Sequence, residues 1–193
     1  MIRAGILVLA ALAGCSGNAP QPVAEATASP VANYQPILKG GWADVWTTPN
    51  TVVATFSRLS FRPSPYQATG ARAASESMPP IVLADSSKGD ANTLALAIEG
   101  TPQRVDTLRF VLKLTDEATA EVAKQRFSEQ LNLATKQLGV AGAEAAATAA
   151  AAEKPANGQL DGARWAVART PLAGKARQLT VTFTAPDATG TAS

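Results

Sequence analysis

Hydrophobic positions along this 193-residue chain change their spacing several times, and each change predicts a different element. Ile6 to Leu12 form an unbroken apolar run. From Ser16 to Asn33 no apolar side chain is larger than valine, and Ala, Pro, Ser, Thr and Gln dominate, which is the composition of a solvated tether. Thr48 and Pro49 then offer an N-cap and a first helical residue, with Val52, Val53, Phe56 and Leu59 on one face. A short helix over about 49–60 is expected, although its β-branched residues leave a strand open. Pro63, Pro65, Gly70, Pro79 and Pro80 predict a long surface loop.

Beyond that loop the period becomes two. Ile81 to Leu83 is a short run; Leu94, Leu96 and Ile98 alternate with small or polar residues. After Gly100-Thr101-Pro102, Leu108, Phe110, Leu112 and Leu114 alternate with residues such as Arg109 and Lys113. This reads as an antiparallel hairpin. Thr115-Asp116-Glu117 supplies a cap and acidic residues for a helix start. Ala120, Ala123, Phe127, Leu131, Ala134 and Leu138 follow at spacings of three and four until Gly139. Residues 140–158 are alanine-rich, either a frayed second helix or an inserted loop. Two more strands are expected, around Trp165 and Val167 and over Leu179, Val181 and Phe183.

The pattern predicts an α+β domain over residues 34–186, with a disordered tail over 187–193. Its antiparallel sheet would have about four to five strands. One long helix, about 116–138, and a shorter N-terminal helix would pack on one face.

The leader changes the picture of where such a domain sits. Met1-Ile2-Arg3 gives a short positive start, and residues 4–14 as a helix would reach only about 17 Å against a hydrocarbon core of about 30 Å. Leu12-Ala13-Gly14-Cys15 follows, an aliphatic residue, two small ones and a cysteine. This segment resembles the lipobox of bacterial lipoproteins. The resemblance covers residues 1–15 alone. It implies cleavage between Gly14 and Cys15, a diacylglyceryl group on the Cys15 thiol, and acylation of the freed amine. Residues 1–14 would then be a signal peptide and 15–33 a lipidated cysteine and tether averaging about 24 Å end to end. Ser16, where a sorting rule of double-membraned bacteria places aspartate for inner-membrane retention, implies the outer membrane, with the domain facing the periplasm. Two or three acyl chains make such attachment persistent.

Composition narrows the chemistry. Histidine is absent, which removes the usual general base near neutral pH and the commonest metal ligand. Cys15 is the single cysteine, so neither an intramolecular disulfide nor a thiolate metal cluster can form. Seventeen basic residues against fifteen acidic ones leave no field to attract nucleic acid. Gly174-Lys175 lacks the other residues of a phosphate loop, and Asp85 to Asp90 lacks the glutamate of a calcium loop. Both are expected to be turns. Adjacent Asp116 and Glu117 make a poor catalytic pair.

Two constellations remain as candidate partner surfaces. Trp42, Asp44 and Trp46 alternate, so that two indoles either flank a carboxylate in front of a ligand or plug an open edge of the domain. Arg109 and Lys113 share the outward face of a strand, and Arg104, Arg164 and Arg177 would join them in a basic patch if the two hairpins pair. The expected function is a non-enzymatic binding or assembly module of the cell envelope, with no cofactor beyond the lipid on Cys15. Its partners would be membrane lipid through the anchor and an envelope protein or anionic envelope polymer. A small-ligand carrier with an apolar pocket under the long loop and, less favoured, a histidine-independent enzyme are the alternatives.

Overall fold

Pro49 and Gly139 mark the two helix ends that local chemistry specifies most strongly. The computed structural model describes residues 35–86 and 90–188. The lipobox, the tether and residues 189–193 lie outside the described residues. Pro49 opens α2 (Pro49–Arg58) at the first helical position, directly after α1 (Trp42–Thr47). Thr48 sits at the N-cap, but its hydroxyl donates backwards to the Asp44 carbonyl at 2.7 Å instead of capping α2, and so links the two helices. The long helix α3 (Ala120–Gln137) follows a 3-10 turn, Glu117–Thr119. The 3-10 turn is capped by Asp116, whose carboxylate accepts from the Ala118 N–H at 3.1 Å, one residue beyond Thr115, while Thr119 at the N-cap of α3 itself makes no side-chain cap bond. Gly139 ends α3 with a left-handed φ of 70°, and Val140 donates back to the Thr135 carbonyl. A Cβ there would collide with the Leu38 carbonyl, because Ile37 hydrogen-bonds the Gln137 carbonyl and brings the entering chain against this helix end. A fourth helix, α4 (Glu144–Ala151), lies within the alanine-rich stretch.

The architecture is α+β, as the alternation predicts, but the sheet among the described residues has eight strands, not four to five. They are β1 (Gln67–Thr69), β2 (Arg72–Glu76), β3 (Ile81–Ala84), β4 (Asn92–Thr101), β5 (Arg104–Leu114), β6 (Ala156–Leu160), β7 (Ala163–Pro171) and β8 (Arg177–Thr184). Their order is β1-β2-β4-β5-β8-β7-β6, with β3 also on β4, and every pairing is antiparallel. β2 pairs with the far half of β4 (Ala97–Gly100), and β3 pairs with its beginning (Asn92–Leu94).

The expected long loop therefore carries a hairpin. Its inward residues on β2 are Ala73 and Ser75, too small to show as a hydrophobic period. Likewise α4 faces the core only with Ala146, Ala147 and Ala150, and β6 is an edge strand with no fully buried side chain. Low side-chain volume hides these elements from a reading based on apolar spacing.

One core joins the four helices of the described residues to one face of the sheet. Phe56 and Phe61 meet Phe110 edge on, and Phe110 meets Phe183 likewise. Leu94, Leu96, Ile98, Leu108, Leu112, Phe127, Leu131, Leu179 and Val181 are buried around them. Among the described residues no helix packs on the opposite face of the sheet.

The strands give the molecule two ends. β4 finishes, β5 starts, β8 finishes and α3 finishes at the end where the described chain enters beside Gln137. The β7–β8 turn, Asp116 and the start of α3 lie at the other, about 27 Å away along an 18-residue helix.

Candidate functional site

At the entry end, Trp42 and Trp46 do not form a ligand platform. Gly41 opens α1, and an i, i+4 spacing on a helix puts both indoles on one side, where the sheet lies. Their rings stack at 5.2 Å, Trp42 stacks on Phe183 at 5.0 Å, and both residues are buried. Trp46 Nε1 donates to the Gly162 carbonyl at 2.7 Å, which satisfies the indole inside the core. Asp44 turns away from the rings and accepts from the Gly40 N–H at 2.6 Å. The alternation read from the sequence is a turn of helix, and the rings close the end of the sandwich. Glycines leave a shallow depression of about 420 Å³ beside Trp42, lined by Gly40, Gly41, Gly139, Gly142 and Gly162 among others. Across Trp46 a second hollow of about 290 Å³ is bounded by Ala43, Arg104 and Pro186.

The two hairpins do pair, through β5 and β8, yet the five basic residues do not gather. Arg177 sits opposite Leu114 on the covered face and is buried. Arg104 pairs with Asp106 at 2.9 Å, and Arg109 donates to Glu99 at 2.6 Å. Lys113 is exposed on the open face, and Arg164 lies there on β7. Arg109 and Lys113 thus share the open face as expected, but Glu99 neutralises the first. The surface around them is mostly alanine and threonine, with Val111 and Gln178 beside them and Arg164 two strands from β5.

A third constellation escaped sequence reading. At the far end Glu153 follows α4 with a φ of 54°, and Lys154 donates to the Ala149 carbonyl across it. This is the helix-ending position that usually takes glycine. Its carboxylate receives two hydrogen bonds from Arg177, at 2.5 and 2.6 Å, and one each from Lys124 and Arg169 at 3.3 Å. Arg177 also donates to Glu117, and Lys124 pairs with Glu121 at 2.7 Å. The Arg177 hydrogen bonds hold the Glu153 carboxyl down at about 2, against the opposing effect of burial. Contact with Glu153 in turn raises Arg177 above its ordinary value. Burial would lower Lys124, but its bonds to Glu121 and Glu153 outweigh that and raise it. Every strongly held charge here is matched by its opposite, so the cluster ties α3, α4, β7 and β8 together. Its members are 24 to 60 residues apart along the chain for the Arg177 contacts, too far for any local motif to announce them.

Among the described residues no group of three or more Cys, Asp, Glu or His is arranged to hold a metal ion, and no helix is long and apolar enough to cross a membrane. Compared with known proteins, the chain matches no family model, no curated protein and no solved structure.

Proposed function

We propose that this protein is a cell-envelope lipoprotein, anchored through acylated Cys15 and acting as a non-enzymatic binding or assembly module. The observation that carries the anchor is Leu12-Ala13-Gly14-Cys15 behind an apolar run too short to span a bilayer. The absence of histidine supports the non-enzymatic half, and the outer membrane is the favoured address because serine stands at position 16. What supports binding is the open face of the sheet, where alanine and threonine predominate among the outward residues of β4, β5, β8 and β7 and the charged ones include Glu99, Arg109, Lys113 and Arg164. With Arg109 held by Glu99 and small neutral side chains between the remaining charges, the face favours a protein partner over an anionic polymer.

Mass spectrometry of the protein isolated from its own membranes tests the anchor. The expected species begins at Cys15 and carries diacylglyceryl plus an amide-linked acyl chain, and Cys15→Ser leaves Met1 in place with no lipid. A processed native chain with a free thiol, or one retaining Met1, overturns the reading.

A further inference from the structure

The open face of the sheet has a chemical symmetry of its own. Its four central strands run β4, β5, β8, β7, and the registers align their outward residues in rows. β4 presents Thr93, Ala95, Ala97 and Glu99. β7, three strands away, presents Thr170, Ala168, Ala166 and Arg164 at the same four levels. The two outer columns are therefore identical apart from the last row, Glu99, Thr107, Thr184, Arg164, which has an acid at one end and a base at the other.

From this arrangement we infer that the face docks on a second copy of itself, about a two-fold axis parallel to the strands and lying between β5 and β8. The inference rests on reading this face as a protein-binding surface and names the partner. Such an axis sets β4 of one copy over β7 of the other, so that Glu99, which also holds Arg109 of its own chain at 2.6 Å, faces Arg164 twice, once at each side. In the rows above, the outer columns set alanine against alanine and threonine against threonine, and the inner columns set Val111 against Thr180. Arg109 falls opposite Thr182 and Lys113 opposite Gln178, so no two basic side chains stand directly opposite each other, and Glu99 is shared between Arg109 of its own chain and Arg164 of the other. An in-plane axis perpendicular to the strands would set β4 over β4 with its direction reversed, bring Glu99 against Thr93 and lose the match.

The size also fits. Six strands from β2 to β6 at about 4.8 Å spacing and roughly eight residues of about 3.3 Å cover about 750 Å², near the ~800 Å² per partner of a stable complex. Small side chains keep the face low and cost little entropy when covered. Two copies related in this way have their chain-entry ends on the same side, as two chains tied to one leaflet require.

The test is the mass of the full chain in mild detergent, followed by light scattering over a range of concentrations. The native protein is expected at twice the mass of one chain. Glu99→Arg and Arg164→Glu are each expected to raise the dimer dissociation constant about ten-fold or more, and the double swap to return it to within about three-fold of native. Ala168→Arg, at an exposed position where folding tolerates a long side chain, is expected to give a folded monomer with an unchanged circular dichroism spectrum and a melting temperature that no longer depends on concentration. A native monomer at every concentration, a double swap as weak as the single reversals, or a dimer indifferent to Ala168→Arg overturns the inference. Native monomer that binds a different protein, with loss on Ala168→Arg, overturns the second copy but leaves the binding face standing. No effect of Ala168→Arg on any association removes both.

Discussion

The side chain of Asn92 pairs with the backbone of Asp116 as a strand would: its Oδ1 accepts from the Asp116 N–H at 3.0 Å while its Nδ2 donates to the Asp116 carbonyl at 2.9 Å. Oδ1 accepts also from the Thr115 N–H at 2.8 Å, and Nδ2 donates also to Thr119 Oγ1 at 3.0 Å. The amide is fully buried with all its bonds made, and it joins the start of β4 to the turn that launches α3. Asn92→Ala leaves two backbone N–H groups without a partner away from water, so a loss of about 3 kcal/mol is expected. Asn92→Asp is expected to lose at least as much, since the donor becomes an acceptor facing a carbonyl. Urea unfolding with an unchanged denaturant slope checks both.

Glu153 makes stability depend on pH in the acid range. Its folded-state value near 2 lies below the ordinary 4.5, so its contribution is fully present above about pH 4.5 and is lost as pH falls toward 2. The expected loss is about 2 kcal/mol, reduced from the full linkage value because the carboxyl borders water. Glu153→Gln should flatten the stability profile between those pH values. An equally steep profile in the variant would assign the acid transition to other carboxylates.

Left-handed backbone at two helix ends separates conformational cost from side-chain contact. Ser60 and Glu153 have φ values of 67° and 54°, each at the position after a helix that glycine fills best. Ser60 is exposed, and Ser60→Gly is expected to stabilise by about 0.5–1 kcal/mol. Glu153→Gly gains the same relief but strands Arg177 in a buried position without its main partner. A net loss of about 2 kcal/mol is expected. Thermal unfolding of the two variants should move in opposite directions.

Trp46 is bound by its ring nitrogen as well as by its area. Trp46→Phe keeps most of the packing but leaves the Gly162 carbonyl without its indole donor, and a loss of about 1–2 kcal/mol is expected. Because all three tryptophans are buried, the native emission should be blue-shifted and poorly quenched by acrylamide. Red emission from the folded protein would mean that an indole faces water.

The elements legible in the sequence were those whose burial signal is large and whose partner is near. β4 and β5 alternate Leu, Ile and Phe on either side of a short turn, and α3 repeats apolar residues until Gly139. β8 reads as plainly, Leu179, Val181 and Phe183 between threonines. Where the buried residue is alanine or serine, as in β2 and α4, the free energy that places the element comes from its neighbours, and the local pattern is silent. Trp42 and Trp46 show the converse: large residues at i and i+4 satisfy an alternating strand and one side of a helix equally well, and only the neighbouring Phe183 decides between them.

Composition alone removed histidine and disulfide chemistry, and local spacing alone specified the central hairpin and the long helix, because both kinds of statement need only nearby residues. The tertiary structure decided what depends on residues far apart in the chain. It turned Arg177 inward to Glu153, set Arg109 against Glu99, and brought β4 and β7 to matching levels across two intervening strands. Strand register is a collective choice, reached when many weak pairings and one shared core agree, and no short stretch of chain contains it.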